Sequence, residues 1–120
     1  MWKPLGTMVA VAALIAGGLG TADAAKKKSK PPIPFTDEML LDPERIANGR
    51  EIWQDQCQHC HGAKAYPGKA PKLKPAKYKP GFVYRRATDG FRKMPAFDDF
   101  YDDIERMNVE VYIRSEKFSP

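Results

Sequence analysis

The sequence predicts a small all-α domain, with three or so short helices joined by long loops. Three observations carry this. Apolar residues recur at helical spacing in two stretches: Ile46, Gly49 and Trp53 in the first, and Ile104, Met107, Val111 and Tyr112 in the second. No stretch of useful length alternates as a strand would, and there is no internal repeat. Eleven prolines and nine glycines in 120 residues break up the rest, which favours loops between short helices. A chain of this length holds one domain; it is 42% hydrophobic and carries a net charge of +5. So small a domain buries a limited core and needs a staple.

In order along the chain, residues 1–24 read as a secretory signal peptide. Lys3 gives a positive start, residues 5–19 are an apolar run, and Ala22-Asp23-Ala24 puts small residues where a signal peptidase needs them. Cleavage is expected after Ala24. The competing reading is an uncleaved membrane anchor, for which the run is short and interrupted by glycines. Either way the domain is exported, and a periplasmic location is expected. Residues 25–41 read as a Lys/Pro-rich linker. Lys26, Lys27, Lys28 and Lys30 repel one another, and Pro31, Pro32 and Pro34 favour an extended chain. It is expected to be a solvated tail; the sharper alternative is a contact for a partner or an anionic surface.

The domain proper is expected over residues 42–120. Asp42 can cap the first helix, Pro43 suits its first position and Glu44 complements its dipole. Gly49 inside that helix costs about 1 kcal/mol against Ala, which a close helix crossing would explain. The helix should run into Cys57. Residues 62–79 read as loop, holding Lys64, Lys69, Lys72, Lys74, Lys77 and Lys79. A short helix is expected from Pro80 through Thr88, with Phe82, Val83 and Arg86 inward and a left-handed Gly90 at its end. The last helix should run from about Asp102 to Ser115, with Asp102 and Asp103 at its positive end.

Both cysteines and both histidines fall in one stretch, Cys57-Gln58-His59-Cys60-His61. C-x-x-C-H is the spacing of covalent haem attachment. Two thiols must reach two vinyl groups of one haem, and two intervening residues on a tight helical turn bring both sulfurs under one edge. The next His then presents its imidazole to the iron. Such a haem c, linked through Cys57 and Cys60, would be the staple. Competing readings are weaker on spacing. A structural zinc site needs four ligands and the chain has no second Cys or His pair. A thioredoxin-like dithiol expects a βαβ pattern. A disulfide across two residues would close a small, strained loop.

A second axial ligand would sit opposite His61. His59 is excluded because the attachment loop holds it on the His61 side. The candidates are Met39, Met94 and Met107. Met107 falls on a helix stripe and reads as core, whereas Met94 is followed by Pro95, which stiffens its loop. Met94 is the expected ligand, and a thioether there would raise the potential relative to two imidazoles.

With these residues in hand, residues 42–115 resemble the class I cytochromes c, the monohaem electron carriers. Gly49 lies ahead of the Cys-His motif, as in that family's N-terminal helix. Ala70-Pro71-Lys72-Leu73 is similar to the family's Pro-x-Leu element, which implies that the Pro71 carbonyl accepts the His61 ring N–H. Gly90 and Met94-Pro95-Ala96-Phe97 resemble the methionine-ligand loop. Tyr112-Ile113 resembles the aromatic position that packs across Gly49. Two departures stand out. The stretch from His61 to Met94 is short, so more of a propionate-bearing haem edge would be exposed. It is also rich in Pro and Lys, so the family's propionate contacts do not transfer; on chemistry alone Tyr78, Tyr84, Arg85 and Arg86 are candidates.

The expected function is outer-sphere electron transfer by a periplasmic carrier, a monomer and not an enzyme. The lysine-rich loop would ring the haem edge and steer encounter with acidic faces of redox partners: a dehydrogenase, a cytochrome complex or an oxidase. Asp98, Asp99, Asp102 and Asp103 form an opposing acidic cluster, which helix capping explains in part. Nucleic-acid binding is a poor fit, since no base-reading element accompanies the basic residues. Membrane contact is expected only if the N-terminal segment stays on. Two alternatives keep the haem: a dedicated subunit of a periplasmic dehydrogenase or terminal oxidase, or an open-site sensor or peroxidase if Met94 does not bind.

Overall fold

The computed structural model describes Gly17 and residues 28–118. The expected signal peptide therefore lies outside the described residues, Gly17 apart. Among the described residues no helix is long and apolar enough to cross a membrane. The chain folds as helices and loops: α1 (Asp37–Leu41), α2 (Pro43–Ile52), a π-turn (Trp53–Cys57), α3 (Gln58–His61), a 3₁₀ turn (Pro75–Lys77), α4 (Phe82–Asp89) and α5 (Asp103–Arg114). The described residues contain no strand, only an isolated bridge between Phe91 and Met94. The fold is all-α, as expected from the sequence.

Local chemistry fixes the ends of α2 and α5. Asp42 accepts the Glu44 and Arg45 amides at 2.9 and 3.3 Å and Pro43 occupies the first helical position. Asp102 and Glu105 form a reciprocal capping box, each side chain bonding the other's backbone N–H, at 2.8 and 2.9 Å. That use of Asp102 removes it from the acidic cluster, and Asp103 is also engaged, accepting from Tyr84 Oη and Arg106 Nη2. Asp98 and Asp99 remain exposed.

α2 and α5 cross at Gly49. A Cβ placed there would lie 2.0 Å from the Asn108 carbonyl oxygen and 2.8 Å from Tyr112 Cβ. The crossing inferred from Gly49 and Tyr112 is therefore a backbone contact that admits no side chain. Around it pack Ile52, Trp53, Val109, Tyr112, Ile113 and Phe118. Phe118, fully buried, sets its ring edge-on to both Trp53 and Tyr112, with centroids 4.8 and 5.3 Å away.

Three features differ from the sequence expectations. Residues 37–41, assigned to the linker, form α1, capped by Thr36 Oγ1. The preceding residues lie against the domain: Ser29 donates its amide to Asp89 at 3.1 Å, Pro31 sits beside Gly81, and the Arg114 guanidinium lies over Phe35. Second, α4 starts at Phe82 rather than Pro80, because Gly81 turns the chain at φ 83°. Third, Ile104 is exposed, while Arg106, Asn108 and Glu110 are buried. Helix α5 is the central helix, packed by α2 on one side and α4 on another, so its polar residues find partners inside. Arg106 donates to Thr88 Oγ1 and Asp103, and Asn108 joins Arg45 and Asn48.

Glu110 is the most consequential of these. Its carboxylate accepts the Gly81 amide at 2.8 Å, the Tyr84 amide at 2.9 Å and Arg114 Nη1 at 3.2 Å. Residue 110 thus caps α4 from another helix, doing what Gly81 has no side chain to do. Burial raises its pKa above the ordinary glutamate value, and the two amides and Arg114 oppose that only in part.

Two predictions follow from this packing. Gly49→Ala removes a helix-disfavouring residue yet destabilises the protein by roughly 1–3 kcal/mol, because α2 and α5 must separate; a denaturant midpoint equal to or above wild type would contradict the backbone contact. For Glu110, a folded pKa above the unfolded one means tighter proton binding in the folded state. Its contribution is full below the unfolded value and is lost as pH rises through the folded value. The stability of wild type relative to Glu110→Gln should therefore fall as pH rises above the ordinary glutamate range. A difference that stays flat or grows with pH would show the carboxyl is not held against its charge.

Candidate haem site

The Cys-His motif sits where helix α2 changes pitch. After Ile52 the chain takes a π-turn, with the Gln58 amide bonding the Trp53 carbonyl, and then resumes as α3. The expected helix into Cys57 is present, but widened by this turn, a local irregularity frequent at functional positions. Gly62 ends α3 at φ 86°, and a Cβ there would meet the Pro67 carbonyl at 2.2 Å. Gly68 approaches Cys60 equally closely, and the Ala70 amide donates to the Cys60 carbonyl at 2.8 Å. The loop after the motif is thus folded back on it.

That loop, α2, α4 and α5 enclose a cavity of about 290 Å³. Its walls are almost wholly apolar, with Ile52, Trp53, Leu73, Val83, Val109 and Ile113 among the lining residues. Cys57, His61 and Met94 also line it. Cys60 does not; it is exposed at the surface of α3. His59 points away, its Nε2 2.9 Å from the Asp55 carbonyl oxygen. Of the other methionines weighed, Met107 is fully buried in the core and Met39 lies on α1, and neither borders the cavity.

His61 is held by Trp53. The two rings stand 5.7 Å apart, and the indole N–H is tied to the Ala63 carbonyl at 3.0 Å. Burial lowers the His61 pKa, and the Pro71 backbone opposes this. The imidazole is therefore neutral at pH 7, the form that binds metal. Pro71 borders the cavity and its backbone faces the His61 ring, but among the described residues no acceptor meets the buried His61 Nδ1 with full hydrogen-bond geometry. The sequence expectation of a Pro71–His61 bond is thus approached and not completed.

Met94 is positioned by a tight turn. Phe91 and Met94 exchange backbone hydrogen bonds of 3.0 and 2.9 Å, and Arg92 takes φ 53° to allow it. Gly90, at φ 70°, lies so close to this turn that a Cβ would fall 2.8 Å from the Met94 carbonyl oxygen. The Phe97 amide bonds the Ala87 carbonyl at 2.8 Å, pinning the far side of the turn to α4.

Burial, and next the neighbouring Cys60 thiol, push the Cys57 pKa up to about 12. A redox dithiol needs the opposite, a stabilised thiolate, so the thioredoxin-like reading loses its chemical basis. Among the described residues no cluster of three or more His, Cys, Asp and Glu is placed to hold a metal ion, so the zinc reading finds no site. An apolar cavity bordered by a thiol, an imidazole and a soft thioether fits a haem better than either.

Of the residues considered for propionates, Tyr78 and Arg86 border the cavity, whereas Tyr84 donates its hydroxyl proton to Asp103. Beside the cavity lies a basic depression lined by Lys72, Lys74, Lys77, Lys79 and Arg85. It shares Lys72, Tyr78 and Phe82 with the cavity wall, so four of the loop's lysines gather at one edge of the site, while Lys64 instead donates to the Lys117 carbonyl. Trp53 lines the cavity but reads from the sequence only as helix core, and Phe118, which packs on Trp53 outside the cavity lining, does not stand out in the sequence. The signal for Trp53 was present in its spacing four residues before Cys57; nothing local marks Phe118.

No curated protein and no solved structure matches the chain. Residues 44–113, more than half of the chain, match the family model described as cytochrome c oxidase, cbb3-type, subunit III. This match spans all but the first residue of α2, the Cys-His motif, the Met94 turn and all but the last residue of α5, and it bears out the resemblance to monohaem class I cytochromes c. The chain belongs to this family of c-type cytochrome domains, whose cofactor is haem c and whose role is electron transfer.

Proposed function

We propose that the chain is an exported one-electron carrier holding one haem c through Cys57 and Cys60, with His61 and Met94 as axial ligands. The observation that carries this reading is that His61 and Met94, far apart in sequence, border one apolar cavity together with Cys57. Bound there, the haem supplies reversible one-electron chemistry at its iron. The protein's residues do the rest. His61 offers a neutral nitrogen, and the soft thioether of Met94 favours the reduced metal. Apolar walls exclude water from both. The turn that bears Met94 is fastened at Gly90 and Phe97, which keeps the thioether in place through a change of charge.

The basic depression beside the cavity supports the partner reading. Lys72, Lys74, Lys77, Lys79 and Arg85 meet there without a carboxylate among them. Such a patch steers encounter with an acidic partner face, in a small and short-lived interface with a salt-sensitive on-rate. Export to the periplasm rests on the leader-like residues 1–24. A second reading has its own support: the matching family is described by the name of an oxidase subunit. On that reading the domain is a dedicated subunit of an oxidase or dehydrogenase, tethered by its Lys/Pro-rich segment. A stoichiometric partner that stays bound at high salt would select it over the free carrier.

The visible spectrum of the protein matured in a haem-attaching host tests the ligand assignment. Wild type should be low-spin in both oxidation states, with the weak long-wavelength band of sulfur-ligated ferric iron. Met94→Ala should lose that band and bind carbon monoxide rapidly when reduced, while Met107→Leu keeps the wild-type spectrum. A high-spin wild type would replace the carrier reading with the open-site one.

A further inference from the structure

We infer that Arg86 holds a propionate carboxylate of the haem, being the one guanidinium on the cavity wall with no polar partner among the described residues. This rests on the haem reading above and assigns a contact that the sequence left among four residues. Tyr84 is spent on Asp103, at 2.7 Å, and lies outside the cavity lining. Arg85 borders the outer basic depression and not the cavity. Tyr78 borders the cavity and accepts the Lys74 amide at 2.9 Å, leaving its own proton free as a secondary donor.

Arg86 is packed more closely on aromatic rings than Arg85, whose guanidinium reaches only the Phe82 ring among the described residues, at 5.7 Å. The Arg86 guanidinium lies 3.8 Å from the Phe91 ring centroid and 5.1 Å from that of Phe82. Aromatic faces can occupy the flat sides of a guanidinium while leaving its N–H edge unused. The other guanidinium on the wall, Arg106, is already consumed by Thr88, Asp103 and the Asp102 carbonyl. Among the described residues no Asp or Glu lines the cavity. A half-buried cation set in an apolar wall without an anion is an unbalanced charge. A haem carboxylate is the anion the site would receive, in the planar geometry that arginine and carboxylates share. The seat is also tied to the axial side. Phe91, which covers Arg86, exchanges its backbone hydrogen bonds with Met94, so one turn places both the thioether and the aromatic cover of the cation.

Reduction potentials of the haem-loaded protein test the assignment, using Arg86→Gln, Arg86→Lys and Arg85→Gln. The two Gln variants remove the same charge from adjacent positions, one on the cavity wall and one on the outer depression. Arg86→Gln should lower the potential several-fold more than Arg85→Gln, and Arg86→Lys should restore most of the loss. The low-spin, sulfur-ligated spectrum should persist in all three, which keeps this result separate from loss of Met94. Equal shifts from Arg85→Gln and Arg86→Gln, or no shift from either, would overturn the assignment while leaving the haem reading intact. Absence of haem from the wild type would overturn both.

Discussion

Two helix backbones touch at Gly49, and the remaining architecture depends on that contact. With no Cβ in the way, the Asn108 carbonyl and Tyr112 come down onto α2. This approach brings Trp53 into the core, where Phe118 and Tyr112 grip it edge-on. Trp53 in turn flanks His61 and anchors the Ala63 carbonyl. A chain of contacts therefore runs from a missing side chain on α2 to the orientation of an imidazole. The energy at stake in the crossing, a few kcal/mol, is a large share of what stabilises so small a domain.

The electrostatics of the domain divide between its interior and one edge. Inside α5, each buried polar side chain is matched: Arg106 by Thr88 and Asp103, Asn108 by Asn48 and Arg45, Glu110 by two amides of the α4 end and by Arg114. Such pairing holds α4 against α5 and so shapes the cavity between them. At the cavity the pattern changes. Among the described residues, the Arg86 guanidinium there has aromatic rings and no polar partner, and His61 Nδ1 has only the imperfectly aligned Pro71 backbone beside it. A cation set in an otherwise apolar cavity wall is what the carboxylate arms of a cofactor would satisfy.

Much of this was legible in the sequence, for identifiable reasons. The C-x-x-C-H spacing is chemistry written locally, and so are the caps at Asp42 and Asp102. Gly49 and Tyr112 could be paired because a glycine inside a helix calls for a close neighbour, and Met94 stood out because Pro95 denies it a helix. What stayed hidden depends on contacts between distant segments. Glu110 looks like a solvent-facing residue until α4 is laid across it, and Ile104 looks like core until α5 proves to be enclosed from Arg106 onward. The start of α4 at Phe82 follows from the left-handed Gly81 and its distant carboxylate partner, which no local pattern announces. Residues 28–35 read as free tail from composition, yet Asp89 gives Ser29 a specific place to bind.

The intact mass of the denatured protein, purified from an exporting, haem-attaching host, bears most directly on the central claim. Wild type should carry the added mass of one haem on a chain beginning after Ala24, and a variant in which Cys57 and Cys60 are both alanine should carry none. A wild-type chain of unmodified mass would contradict the reading of the Cys57-to-His61 stretch, and with it the role given to the cavity.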